Sequence, residues 1–168
     1  MVTSTQIENE EDPMTGDSAK GGTKNSGALL AILVGGVIVG TLDLTQACIL
    51  FGWDIPLSIA GGLLGSRAEH GGVGTYILGV SLHFMIAFSI TAIYYLASRK
   101  LSFMTEHPLV CGLLYGAMVE NVMNLIVLPL SALHARGPYE LHDLLQGLGV
   151  HMVVVGLPVA YSIRRFAR

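Results

Sequence analysis

Four ionisable side chains stand inside long apolar runs of this 168-residue sequence: Asp43, His83, Glu120 and His151. A charge at the centre of a bilayer costs about 2.5–3.5 kcal/mol on insertion scales, so residues of this kind mark a site unless a neighbour neutralises them. Carboxylates and imidazoles together can pass a proton or hold a cation, divalent metals included. His83 and His151, at similar depths, could also supply both axial ligands of one b-type haem. The plainer chemistry is helix fastening, for which membrane interfaces use Ser, Thr, Asn, Gln and His at about 0.6–2 kcal/mol each. The four residues lie on four separate runs with no local ligand spacing, which argues against a metal. The carboxylates offer the histidines simpler partners than haem, so no cofactor is expected. Thr41 and Gln46 neighbour Asp43, and Glu120 and Asn124 share a helix face at i, i+4. Asn121 points elsewhere, to a second helix or another subunit.

The segments that must position these groups are long and apolar. The chain is 52% hydrophobic and 12% charged, with a mean hydropathy of +0.61; a soluble domain averages about 25% charged residues. Four runs absorb the difference, over about 28–51, 74–97, 108–133 and 141–163. Each approaches the ~20 residues that cross a 30 Å hydrocarbon core as a helix, and none alternates as a barrel strand would. The expected fold is an all-α four-helix membrane bundle, 28–168, embedded in lipid. Residues 1–27 are acidic and Gly/Ser/Thr-rich, with Glu8, Glu10, Glu11, Asp12 and Asp17 against Lys20 and Lys24, and are expected to be a disordered tail. No cleavable signal is expected, because both the tail and the first apolar run are too long.

Orientation follows from the cations. Lys20, Lys24, Arg99, Lys100, Arg164, Arg165 and Arg168 lie on one side, and only Arg67 and Arg136 on the other. Seven against two predicts both termini in the cytoplasm. Tyr94 and Tyr95 at the inner boundary, and Trp53 at the outer one, fit interfacial belts. The connection from Trp53 to Gly72 contains an apolar stretch, 55–65, too short to span; an interfacial or re-entrant helix starting near Pro56 is expected there.

The two hairpins echo each other. Gly36-xxx-Gly40 precedes Asp43 and Gly112-xxx-Gly116 precedes Glu120, while Gly79 stands four residues before His83 and Gly147 four before His151. The pattern suggests parallel repeats, although the acids follow at unequal distances. The glycine motifs, with Gly61-xxx-Gly65, serve either close packing within the chain or association between chains. Pro129 and Pro158 should bend their helices. Cys48 and Cys111 sit in apolar runs without disulfide or zinc spacing. No hydrolase elbow, HExxH, Walker A or dinucleotide fingerprint is present, and Ser81 and His83 diverge by about 200° on a helix, so no enzyme is expected. A net charge of −3 without basic-aromatic clusters excludes a nucleic-acid partner.

At Gly40-Thr-Leu-Asp-Leu44, Leu114-Tyr-Gly116, Val122-Met-Asn124, Val127-Leu-Pro-Leu-Ser131 and Gly156-Leu-Pro158 the chain resembles a group of small uncharacterised four-span bacterial inner-membrane proteins. The resemblance covers roughly 28–167. It implies the topology and a bacterial inner-membrane location, and it carries over no catalytic or binding residue. The residues themselves leave three roles open. One is a small transport component for a proton, ion or solute, working as a homo-oligomer or with another subunit. The second is a structural or accessory subunit, and the third a haem-binding electron carrier.

Overall fold

The computed structural model describes residues 17–135, 137 and 140–167, with side chains from residue 26 onward. Among these residues it contains helices and no strand: α1 (Asp17–Phe51), α2 (Ile55–Leu64), a 3-10 turn (Gly65–His70), α3 (Val73–Ser98), α4 (Phe103–Glu106), α5 (Pro108–Val122), α6 (Leu128–Leu130), α7 (Leu141–Val150) and α8 (Leu157–Phe166). A π-helical segment, Met123–Val127, joins α5 to α6, and a second, His151–Gly156, joins α7 to α8. The result is four rods, Ser26–Phe51, Val73–Ser98, Pro108–Leu130 and Leu141–Phe166, each long and apolar enough to cross a membrane. They are called spans one to four below.

The π segments have a local cause. Proline lacks an N–H, and its ring clashes with the carbonyl four residues earlier. For Pro129 and Pro158 those carbonyls belong to Leu125 and Val154, which fall inside the two wide turns. Each proline is thus preceded by a widened turn, a feature that recurs at functional sites.

The outer surface is apolar. Leu125, Leu130, Val73 and Ile49 are 70%, 79%, 77% and 71% exposed, far beyond the contiguous apolar patches that soluble monomers tolerate. Around the bundle the order is span two, span one, span four, span three, with α2 packed on span two at one end and held to the loop that follows span three. That order rests on glycines. Gly36 and Gly40 receive the rings of Phe88 and Phe84, and Gly112, Gly116 and Gly156 let spans three and four cross backbone against backbone. Gly79 lies against the Pro56 carbonyl of α2, and Gly61 against Leu133. The motifs therefore work within the chain. Loop 131–133 also clamps α2 through Ala132 N–H to Gly62 O at 2.8 Å.

Several sequence expectations shift. Helix α1 begins at Asp17, so residues 17–27 of the expected disordered tail are helical; once a span has nucleated a helix, extension needs only one hydrogen bond per residue. Residues 1–16 of that tail lie outside the described residues. Span three stops at Leu130 rather than 133, because Ser131 is extended and His134 takes a positive φ of 48°. Span four continues to Phe166, with Arg164 and Arg165 in its last turn where cations suit the helix dipole. Tyr94 is not an interfacial residue. It is fully buried, stacks edge-on against Tyr115 at 4.9 Å, and donates to the Met104 carbonyl at 3.1 Å. Trp53 is 70% exposed.

Candidate functional site

The four ionisable residues stand at one level. Glu120, His83 and His151 lie ten residues from Leu130, Val73 and Leu141, and Asp43 eight residues from Phe51, so all are about 12–15 Å from the end of the bundle that carries α2. For Glu120 this is shallower than a helix reaching 133 would give, since span three stops earlier.

Each odd span's acid meets the following even span's histidine. His151 Nδ1 is 2.9 Å from Glu120 Oε2 and 3.0 Å from the Gly147 carbonyl of its own helix. Both neighbours are acceptors, so the ring proton sits on Nδ1 and is shared between them. Asn124 donates to Glu120 Oε1 at 2.8 Å, as the i, i+4 spacing predicts. Gly147 faces this carboxylate, and any side chain there would collide with it. In the other pair, His83 Nε2 is 3.0 Å from the Gly40 carbonyl and 3.9 Å from Asp43 Oδ2. The first distance is a hydrogen bond; the second is too long for one. The pairing repeats between hairpins, but the packing does not: Gly36 and Gly40 accommodate phenyl rings where Gly112 and Gly116 accommodate backbone.

Asp43, His83 and His151 line a common chamber of about 90 Å³ with Val39, Ile59, Ile86 and other apolar groups; Glu120 is not among its walls and is linked to it through His151. At roughly 30 Å³ per molecule it has room for about three waters. A second cavity of about 100 Å³ shares Asp43 and His151 and runs between spans one and four past Gln46 and Gln146. It leads toward the end of the bundle that bears α2. Gln46 was visible in the sequence as a neighbour of Asp43. Gln146 was not singled out, although an amide five residues before an intramembrane histidine was a signal to follow. The chamber is also walled by Val39, Ile90 and Val155, and the Ile90 carbonyl accepts the Tyr115 O–H at 2.6 Å.

The remaining candidates are placed as follows. Thr41 is exposed on span one, away from the chamber, and Asn121 is exposed on span three. Ser81 returns its hydroxyl to the Ile77 carbonyl and takes no part in the His83 site. Cys48 and Cys111 are buried free thiols. Among the described residues no three His, Cys, Asp or Glu side chains are close enough to hold a metal ion. Of the two histidines, His83 has its Nε2 engaged by the Gly40 carbonyl and His151 its Nδ1 engaged by Glu120 and Gly147.

Comparison with protein families, curated proteins and solved structures gives no match. Four apolar helices fit a multi-pass membrane protein.

Proposed function

We propose that this is a proton-handling transport component of a bacterial inner membrane, with both termini cytoplasmic and the end that bears α2 facing outward. The observation that carries the reading is Asp43, His83 and His151 around a chamber of water size, with Glu120 paired to His151 at the same depth and a second cavity lined by Gln46 and Gln146 leading to the chamber. The cation count supports the orientation, and the likeness to four-span inner-membrane proteins supports the location.

The chemistry runs through His151. Its Nδ1–H faces Glu120, while its Nε2 has no partner among the described residues and lies at the chamber. A protonated water entering the chamber gives its extra proton to Nε2 and is left as water, and the imidazolium releases the Nδ1 proton to the Glu120 carboxylate at Oε2, 2.9 Å away, which becomes a neutral acid until it passes the proton on. The ring then carries one proton in the shifted tautomer, and rotation resets it. Asp43 supplies the negative charge that draws protons inward past Gln46. A thin four-helix bundle encloses little space, so the working unit is an assembly.

The experiment is proton flux in liposomes under an imposed potential. Asp43→Asn should abolish flux and leave the unfolding temperature unchanged. One observation favours an accessory role instead: both histidines already hydrogen-bond backbone carbonyls, at Gly40 and Gly147. On that reading Asp43→Asn lowers stability or releases a co-purifying partner, with no flux to lose.

A further inference from the structure

On the outer flank of spans three and four lies a groove of about 270 Å³ with a polar floor, Glu120, Asn121 and Asn124, and leucine walls, Leu125, Leu144 and Leu145 among them. Asn121 is exposed here, nine residues and about 14 Å from the end of span three at Leu130. That depth is hydrocarbon for a chain in this topology. An asparagine amide has two N–H donors and an accepting oxygen. One N–H returns to the Ala117 carbonyl at 2.8 Å; the other, and the oxygen, have no partner among the described residues. The exposed serines of span two differ, since Ser81 and Ser89 each return their single hydroxyl to their own helix, at 2.8 and 2.7 Å. Lipid offers no donor or acceptor, so the open amide requires another protein.

We infer that this groove is the interface with a second copy of the chain, formed about a two-fold axis along the membrane normal with Asn121 against Asn121 of the partner subunit. The amide carries donor and acceptor together, so the same residue across a two-fold satisfies both, which is what an isologous interface demands. The small-residue motif that usually drives such association, Gly112-xxx-Gly116, is already used within the chain against Gly156 and His151. With that motif occupied, the open amide marks the Asn121 face as a place for a partner helix. Leu125, 70% exposed and one turn further on, and Leu145, 59% exposed on span four, extend the contact. The second copy closes the groove over Glu120, shielding its carboxylate from lipid where the chain alone does not. The interface stands on the open amide and the groove, and holds whether or not the chain carries protons.

The test uses the full chain in native membranes. Leu125→Cys, on the same face as Asn121, is treated with a short bis-maleimide before solubilisation. The chain without this substitution is the control, because Cys48 and Cys111 are buried. The expected product is a covalent species of twice the chain mass, and adding Asn121→Leu should cut its yield at least tenfold while Asn121→Gln keeps most of it. Helical circular dichroism and a single symmetrical elution peak serve as the folding check. Should Asn121→Leu not fold, Leu145→Trp fills the groove from the other wall and should give the same loss. An unchanged yield in a folded Asn121→Leu or Leu145→Trp chain, a wild-type particle of monomer mass with no cross-link, or a product joined to a different protein would each overturn the interface.

Discussion

A single methyl group at two glycines of spans three and four separates a structural crossing from open surface. At Gly116 a Cβ would run into the His151 carbonyl oxygen and the Met152 Cα. Both are backbone atoms, and both belong to the turn that begins the π segment, so neither can swing aside as a side-chain tip would. At Gly149, in α7 of the neighbouring span, a Cβ meets nothing within 4 Å. Alanine gains the same helix preference at both positions, about 0.5–1 kcal/mol over glycine. The propensity gain cancels in the comparison, and only the overpacking term remains, about 1–3 kcal/mol. Gly149→Ala should therefore be neutral to stabilising, and Gly116→Ala should lie about 1–3 kcal/mol below it. Cys48 and Cys111 provide the assay, since both thiols are buried and react with a thiol-sensitive dye only as the bundle opens. Thermal unfolding curves followed with that dye in mild detergent rank the variants directly. Equal unfolding temperatures for the two would refute the backbone crossing of spans three and four, and with it the geometry that sets His151 against Glu120.

Two further outcomes follow from individual hydrogen bonds. Tyr94→Phe removes the buried donor to the Met104 carbonyl and should destabilise by about 0.5–1.5 kcal/mol, read on the same unfolding curves. Glu120→Ala takes the acceptor from both Asn124 and His151, yet His151 keeps the Gly147 carbonyl. The loss should stay near 0.6–1.7 kcal/mol, while Asp43→Asn, whose partner is 3.9 Å away, should change stability by less. A Glu120→Ala chain as stable as the wild type would mean that the carboxylate is not paired with His151.

The spans and the four intramembrane ionisable residues were legible because they rest on local rules, whereas which acid meets which histidine was not. Apolar length fixes a membrane helix, and an ionisable residue within one needs a partner, so Asp43, His83, Glu120 and His151 stood out before any contact was known. The i, i+4 bond between Asn124 and Glu120 was legible for the same reason. What escaped was the relation between helices. Nothing local distinguishes Gly40, which takes a phenyl ring, from Gly116, which takes a backbone. Tyr94 lies near a span end and has the composition of an interfacial residue, but the short helix α4 folds Met104 over it and the ring is sealed in the core. The two π segments needed the prolines and the crossing glycines to be considered together. Gln146 gained meaning only when span four was seen to lie beside span one, so that its run of the helix borders the cavity reaching Asp43.

The most direct measurement is the lumen pH of liposomes holding the wild-type chain and a trapped pH dye, with a potassium gradient and valinomycin setting the interior negative. Proton uptake well above that of protein-free vesicles, lost in Asp43→Asn and in His151→Ala chains that unfold at wild-type temperature, is the result expected of the relay. Uptake equal to protein-free vesicles for the folded wild type, or undiminished in the folded His151→Ala chain, would contradict it.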